Sequence, residues 1–293
     1  MLRADLRPAL SVERAAPVGA ARLERAAGRL ELAVGLREGA SRLVLHREEG
    51  SAKARFPRQT PQGPLEAVLV NSAGGLAGGD RLDQRLAVGP GAALLAVGQA
   101  AEKVYRSIGP DALIRTRLEV AAGGTLLWLP QETILFDGGR LDRALEAELA
   151  GDARLLLVEA VVLGRTARGE RVHTGRLLER RTIRIDGRPV WHEPFRLAGP
   201  IEALADRPAL LGGARAFATL LALGPGVEAL VEPLRARLEG TAVRAAAGFR
   251  TPCLLARLLA RDGFELRRAL APAVALLTGA LGGPAELPRV WRC

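Results

Sequence analysis

Cysteine and histidine, the residues that most often build disulfide and metal sites, are scarce in this sequence. The two cysteines, Cys253 and Cys293, are 40 residues apart, and the histidines His46, His173 and His192 are scattered along the chain. The absence of a CxxC pair and of any Cys/His spacing argues against a disulfide framework and a zinc knuckle. We expect reduced thiols, and histidines that serve as surface or hydrogen-bonded strand residues.

Aromatic residues and lysine are also rare. Aromatics make up 3% of a chain that is 48% hydrophobic, so the core must be aliphatic. Lys53 and Lys103 are the only lysines, and arginine supplies almost all of the net charge of +10. The arginines form no dense basic run and lack interleaved aromatics for base stacking. A basic nucleic-acid-binding protein is therefore an alternative and not the main expectation.

Long apolar runs are missing as well. The N-terminus has no continuous apolar segment of the kind that a secretory signal requires. No window of about 18 apolar, uncharged residues suggests a transmembrane helix. We expect a cytoplasmic protein with one domain over residues 1–293, in which residues 1–28 form a flexible N-terminal segment.

From about residue 29 to residue 200, short apolar runs alternate with turns that contain glycine, proline or aspartate. This texture is typical of many short strands. Asp186-Gly187 stands between two alternating runs, which predicts a β-hairpin. The predicted strands include 42–46, 65–70, 82–88, 94–97, 114–120, 126–129, 155–163 and 181–185.

A repeat occurs in the middle of the chain. Residues 86–99, 118–131 and 147–160 superimpose without gaps, each with a turn at the same place followed by two leucines. The repeat fits a stack of similar β-hairpins or coils that share one core.

After residue 200 the pattern changes to apolar residues spaced three or four apart. This spacing predicts helices over 226–239 and 264–281, where Pro233 and Pro272 either bend the helix or mark a first turn. Residues 253–261 fit a strand or a helix, and the tail suggests an extended, docked end. The predicted fold is mainly β, with many short strands in stacked, β-helix-like sheets and two α-helices near the C-terminus.

A glycine-rich loop, "NSAGGLAGGDR" over residues 71–81, has the glycine spacing of a phosphate-binding P-loop. A P-loop continues with lysine and a hydroxyl residue, whereas here Asp80 and Arg81 follow. A nucleotide-binding protein is therefore an alternative and not the main expectation. We interpret the loop as a tight turn with positive φ at several glycines, in which Asp80 caps backbone amides.

Several carboxylates stand in apolar strand contexts, where burial is costly without a partner. They are Glu132, Asp137, Glu159 and Glu193. Two interpretations remain open: pairing with some of the forty arginines, or an acid-lined polar channel.

Five short stretches, taken in order, carry a resemblance to a known family. They are "GGLAGGDRL" (74–82), "GPGAALLAVGQAAEKVYRS" (89–107), "GGTLLWLPQETILFDGGRL" (123–141), "VVLGRTARGE" (161–170) and "LPRVW" (287–291). Together they closely resemble the urease accessory protein family UreD, called UreH in some bacteria. The resemblance extends from about residue 29 to residue 293.

The resemblance implies a mainly β fold with a pair of helices and a non-catalytic role. Members of the family bind UreF, which recruits the GTPase UreG, and the assembly acts on apo-urease for nickel insertion. The resemblance further implies a dimer of heterocomplexes with UreF, with UreE as a further partner and no nucleic acid or membrane. No cofactor is expected beyond the transient passage of Ni²⁺.

Residue by residue, the resemblance implies that Asp80, Glu159 and Glu193 line a route for nickel. Two departures from the family pattern concern Ser72-Ala73, where prolines are common, and Glu102, where a small or hydroxyl residue is common. Carboxylates and water suit a route better than a tight His/Cys cage, because the ion must leave again. The other motif positions, expected to shape local structure, are Gly74, Gly75, Gly78, Gly79, Lys103, Tyr105, Arg106, Ser107, Gln131 and Asp137.

Overall fold

Two stacked β-sheets account for most of the protein. The computed structural model describes residues 24–57 and 63–292, so most of the expected flexible segment 1–28, and Cys293, lie outside the described residues. In chain order the strands are β1 (Ala27–Arg37), β2 (Ala40–Gly50), β3 (Ala52–Arg55), β4 (Leu65–Asn71), β5 (Arg81–Val88), β6 (Ala93–Gly98), β7 (Glu102–Val104), β8 (Ala112–Val120), β9 (Thr125–Leu129), β10 (Thr133–Leu135), β11 (Arg140–Leu149), β12 (Arg154–Leu163), β13 (Thr174–Ile185), β14 (Arg188–Pro200), β15 (Ala216–Leu223), β16 (Arg244–Arg250) and β17 (Cys253–Ala260).

The front sheet has the strand order β14-β13-β11-β8-β5-β1-β2. The middle sheet has the order β16-β17-β15-β12-β9-β6-β4-β3, and the short strands β7 and β10 are attached to it through β12. All eight strands predicted from the apolar runs are present. Residues 253–261, which the sequence left open, form β17 and a turn.

The sequence repeat corresponds to successive coils of the chain between the two sheets. Each coil contributes one strand to the front sheet and one to the middle sheet, and equivalent strands of adjacent coils pair in parallel. The observed register pairs Leu94 with Leu126 and Leu126 with Leu155, as the ungapped superposition of the repeats predicts. The coil alternative is therefore confirmed, and hairpins are confined to the ends of the sheets.

The predicted hairpin at Asp186-Gly187 is one of these. It joins β13 to β14, and both turn residues have positive φ, 49° and 75°. A two-residue turn of this kind matches the twist of the strands that it connects.

Two helices cover the outer face of the middle sheet. They are α2 (Val231–Leu238), preceded by a short 3-10 helix, and α3 (Gly263–Ala280), so both predicted C-terminal helices are confirmed. Pro233 lies in the first turn of α2, and Pro272 lies inside α3. The sequence analysis missed α1 (Ile201–Asp206), which is only six residues long. No helix within 24–57 and 63–292 is long and apolar enough to cross a membrane.

The hydrophobic core has two parts, one on each face of the middle sheet. Leu94, Leu126 and Leu155 pack against the front sheet, and their neighbours Leu95 and Leu127 pack under the helices. Strands that are covered on both faces need continuous apolar runs. The front sheet is covered on one face only, which explains its alternating apolar and charged residues.

Candidate functional site

Four long connections form one side of the molecule. They comprise residues 72–80, 99–111, 130–139 and 164–173, and each leads from the middle sheet back to the front sheet. We call this surface the connection side. The connections stack through a parallel bridge from Leu76 to Val104, through the pairing of β7 with β10, and through the Gly164 amide, which donates to the Leu135 carbonyl oxygen at 2.8 Å.

The glycine turn belongs to the first of these connections. Gly74, Gly75 and Gly79 have φ values of 74°, 149° and 91°. A Cβ atom on Gly75 would lie 2.5 Å from the Tyr105 ring and 2.8 Å from the Lys103 carbonyl oxygen. The Tyr105 hydroxyl donates to the Gly74 carbonyl oxygen at 3.0 Å. The turn is therefore shaped by close contact with the next connection.

Backbone amides of this turn bind protein acceptors. The amides of Leu76 and Gly79 donate to the carbonyl oxygens of Lys103 and Asp111 at 2.7 and 3.2 Å. A P-loop instead directs its amides to phosphate and opens into a helix, whereas this loop leads into the strand β5. The geometry argues against the nucleotide-site alternative.

Asp80 caps the turn, as predicted. Its carboxylate accepts from the amides of Ala77 at 2.7 Å and Ala26 at 2.8 Å, and the residue is 6% exposed. The second bond ties the turn to the residue that precedes β1. Asp80 is not among the described residues that line the cavity considered next, so its proposed contact with nickel stays a prediction.

A cavity of about 200 Å³ with a mixed polar and apolar wall lies between the two sheets next to the connection side. It has room for several water molecules. Apolar side chains such as Leu30, Leu69 and Trp128 form part of its wall. The charged and polar residues that line it are Lys53, Asn71, Gln84, Gln99, Glu102, Lys103, Thr116, Gln131, Thr133, Arg143 and Glu159.

Glu159 is buried at the junction of two arginines. Arg181 donates to one carboxylate oxygen, and the Arg143 Nε atom lies 3.6 Å from the other. The same two arginines also bind Glu179. Arg143 donates to one of its carboxylate oxygens, and the Arg181 Nη2 atom lies 2.8 Å from the other. Arg143 also donates to the Thr133 hydroxyl at 3.1 Å. All four charged residues are less than 9% exposed.

Glu193 extends this cluster to the surface. Arg181 donates to its carboxylate at 3.2 Å, and Arg257 donates to the other oxygen. Arg181 and Glu193 are cross-strand partners of β13 and β14, and the Arg257 side chain is 53% exposed. We call the six residues the ionic chain: Arg143, Glu159, Glu179, Arg181, Glu193 and Arg257.

The ionic chain contains equal numbers of carboxylates and guanidiniums. Burial opposes ionisation of Glu179, but the charges of Arg143 and Arg181 outweigh it and hold the pKa of Glu179 below its usual value. Burial likewise opposes the charge on Arg181, and Glu159 and Glu179 raise the pKa of Arg181 above its usual value. The interior charges therefore stabilise one another.

Glu102 is the second carboxylate that lines the cavity. It accepts a hydrogen bond from the Asn71 side-chain amide at 3.1 Å, and no ion pair of Glu102 occurs in the described part of the chain. Burial raises the pKa of Glu102 to about 7, despite the opposing hydrogen bond from Asn71. This carboxyl group therefore changes its charge near neutral pH.

Asp137 lies on the connection side, outside the cavity lining. It accepts from the amides of His173 and Thr174 at 2.8 and 3.1 Å and from Arg106 at 2.6 Å. Burial would raise the pKa of Asp137, but the backbone hydrogen bonds and Arg106 lower it. Asp137 thus joins the second, third and fourth connections.

Gln131 joins the cavity wall to the C-terminal segment. Its side-chain amide donates to the Val290 carbonyl oxygen at 2.8 Å, and Arg267 of α3 donates to its side-chain oxygen at 2.7 Å. Arg267 also lies over the Trp291 ring, and the Trp291 indole donates to the Leu129 carbonyl oxygen at 3.0 Å. The tail is therefore docked, as predicted, and includes a short 3-10 helix.

No group of three or more His, Cys, Asp or Glu side chains suited to hold a metal occurs in residues 24–57 and 63–292. The His192 ring on β14 is hydrogen-bonded to the Thr182 hydroxyl on β13, and His46 and His173 contact glutamates near the surface. Cys253 is buried, and burial raises the pKa of its thiol to about 11. These residues agree with the structural roles that the sequence suggested.

Comparison with known proteins decides the family. A family model described as UreD urease accessory protein matches residues 26–292. A protein named Urease accessory protein UreD 1, from Brucella abortus biovar 1 (strain 9-941), is 45% identical over 92% of this chain and 95% of its own length. The UreD proteins of Chelativorans sp. (strain BNC1) and Rhizobium etli are 45% and 44% identical, over 92% and 93% of this chain and 95% and 97% of their own lengths.

The chain belongs to the UreD urease accessory protein family. The five UreD stretches meet on one surface: the first four each include part of a long connection, and the fifth docks on Gln131. Lys103, Tyr105, Arg106 and Ser107 follow one another along the second connection, and Ser107 faces Gly78. The stretches by which this sequence resembles the UreD family therefore contribute most of the connection side.

Of the three carboxylates assigned to a nickel route, the structure brings together Glu159 and Glu193, through Arg181. The pairing with arginines that the sequence left open is confirmed for Glu159 and Glu193, but sequence reasoning missed Glu179 and did not identify which arginines take part. It noticed Glu102 only as a departure from the UreD pattern. The alternation of β13, "LLERRTI", places Glu179 and Arg181 on the same face of the strand, and this signal was available.

Proposed function

We propose that this UreD-family chain is a non-catalytic maturation factor that serves urease as a scaffold and as a route for nickel. In this proposal it binds a UreF-like protein and, through it, the GTPase UreG, and a dimer of such heterocomplexes acts on apo-urease. UreE is a further partner, and GTP hydrolysis belongs to UreG. Membership of a urease accessory family supports the general role.

The observation that best supports a nickel route is a continuous series of polar groups through an aliphatic core. The cavity ends at Arg143 and Glu159, and the ionic chain continues from there to Arg257, which is half exposed. Buried ion pairs contribute little net stability, since well-packed apolar residues often replace them without loss. Five buried charged residues in such a core are therefore more readily explained by a function than by stability.

Nickel chemistry is compatible with this arrangement. A route must bind an ion weakly at successive points, and carboxylates and water do so better than imidazole and thiolate. Both oxygens of Glu159 face arginines, so an ion that reaches Glu159 competes with Arg143 and Arg181. In our proposal, passage accordingly requires rearrangement of these arginines within the assembled complex.

Glu159→Gln tests the route. The substitution keeps the shape of the side chain and removes its negative charge, so we expect urease from cells that carry it to contain several-fold less nickel. Nickel per urease is measured by elemental analysis, together with co-purification of the partner proteins. Glu146→Gln is the matched control, because Glu146 lies on β11 with its side chain 54% exposed, outside the cavity lining and the ionic chain.

Full nickel content with Glu159→Gln would contradict the route. Failure of the unsubstituted chain to co-purify with UreF-like and UreG-like proteins would contradict the scaffold.

Asp80→Ala tests the third carboxylate. If this variant still binds the partner proteins and keeps its fold but lowers the nickel content of urease, Asp80 has a role in addition to capping the glycine turn.

A further inference from the structure

Two nitrogen donors in the wall of the cavity lack an acceptor. The Trp128 Nε1 and Arg143 Nε atoms are buried, and neither has a hydrogen-bond partner among residues 24–57 and 63–292. The Arg143 Nε atom lies 3.6 Å from Glu159, which is too far for a hydrogen bond. Nearly all buried donors in proteins are paired, and an unpaired one destabilises the fold. These two donors therefore call for an acceptor inside the cavity that they line.

Positive charge exceeds negative charge in the rest of the cavity wall. The ionic chain is balanced within itself, because it has equal numbers of guanidiniums and carboxylates. Outside the ionic chain the wall holds Lys53, Lys103 and Glu102, which leaves an excess of one positive charge. Lys103 is exposed and forms no ion pair within the described part of the chain. The Lys53 Nζ atom is 3.9 Å from Glu48, whose carboxylate Arg55 shares. The wall therefore attracts an anion.

We propose that this cavity binds a small oxyanion with one negative charge, of the carboxylate or bicarbonate type, to which the Trp128 indole and Arg143 donate directly or through water. A single charge matches the excess on the wall. Oxygen atoms with several lone pairs accept from more than one donor at a time. A volume of about 200 Å³ holds an ion of this size together with water. The inference does not rest on the proposed nickel route.

The two carboxylates of the wall differ in how they affect an anion. Glu159 is bound by Arg143 and Arg181, so its charge is compensated. Glu102 is bound by the neutral side-chain amide of Asn71 at 3.1 Å. Its negative charge opposes an anion in the same cavity, and removal of that charge should strengthen anion binding.

The indole groups report on binding directly. The chain has three tryptophans, Trp128, Trp191 and Trp291, so a nitrogen–proton correlation spectrum of the full-length protein contains three indole signals. Tryptophan-to-phenylalanine variants assign them. Sodium formate or sodium bicarbonate then replaces sodium chloride at constant pH and ionic strength. Trp191 is the internal control, because its indole nitrogen is also buried without a partner but the residue does not line the cavity.

We expect the Trp128 signal to shift until it saturates, while the Trp191 signal stays in place. Saturation with formate alone assigns a carboxylate, and saturation with bicarbonate alone assigns bicarbonate. No shift of the Trp128 signal with either anion would overturn the inference, and so would equal shifts of all three signals.

Two substitutions should change the affinity in opposite directions. Lys103→Gln removes a positive charge from an exposed side chain, so we expect the dissociation constant for the anion to rise several-fold. Glu102→Gln removes the opposing charge, so we expect the dissociation constant to fall several-fold. Arg250→Gln is the matched control, because Arg250 is exposed on β16 outside the cavity lining. Equal affinity in all of these variants would overturn the assignment to the cavity. None of these measurements involves nickel, so the anion site and the nickel route fail separately.

Discussion

At the scale of single residues, burial of Glu102 makes the stability of the fold depend on pH. The folded chain holds the Glu102 proton up to a pKa of about 7, whereas the unfolded chain releases it near the ordinary value of 4.5. Between these two values the folded state binds more protons, so stability falls as the pH rises. Above pH 7 the full cost of roughly 3 kcal/mol is present, because one pKa unit corresponds to about 1.4 kcal/mol.

Glu102→Gln should remove this dependence. We expect the variant to equal the wild type in free energy of unfolding near pH 4.5 and to exceed it by a few kcal/mol at pH 8. Urea unfolding at pH 4.5, 6 and 8 measures the difference. A constant difference between the two proteins across these pH values would contradict the assignment of a raised pKa to Glu102.

For single charged residues, the sequence predicts burial but does not identify the partner. Glu159 in "LLLVEAVVLG" is recognisable as a costly buried carboxylate, because its neighbours on both sides are apolar. Its partner is not recognisable, because Arg181 is one of forty arginines and reaches Glu159 from the other sheet. Contacts between sheets depend on packing that no local pattern encodes.

At the scale of elements, the glycine turn and the second connection fit together through Gly78. A Cβ atom there would lie 1.8 Å from the Ser107 Oγ atom and 2.5 Å from the Pro110 carbonyl oxygen. We therefore expect Gly78→Ala to lower the free energy of unfolding by about 1–3 kcal/mol, as overpacking does. Gly109→Ala is the control in the same region, since a Cβ on Gly109 meets nothing within 4 Å. Equal urea midpoints for the two variants would contradict this close fit.

Strand positions were predictable and strand pairing was not. The eight predicted strands follow from apolar runs between turn residues, which are local signals. Parallel pairing joins strands about 30 residues apart, and only the internal repeat carried that information. β11, which alternates charged and apolar residues, was not among the predicted runs.

At the scale of the whole molecule, two stretches of the UreD pattern that are far apart in sequence, 287–291 and 123–141, contact one another. Trp291 is 3% exposed, and its indole donates to Leu129 across 162 positions of the chain. The adjacent Val290 binds Gln131, which also lines the cavity. The C-terminal segment thus stabilises the wall of the polar interior from outside, a contact that the sequence suggested only as a docked tail.

Trp291→Ala should therefore weaken both the fold and the cavity wall. Loss of a buried aromatic ring costs about 3–5 kcal/mol, to which loss of the indole hydrogen bond contributes about 1 kcal/mol. Trp291→Phe retains most of the ring and loses the hydrogen bond, so we expect a clearly smaller decrease in the free energy of unfolding. Urea unfolding measures both variants, and nickel per urease reports on the route. If Trp291→Ala matches the wild type in stability, the segment is only loosely attached, and the cavity wall at Gln131 does not depend on it.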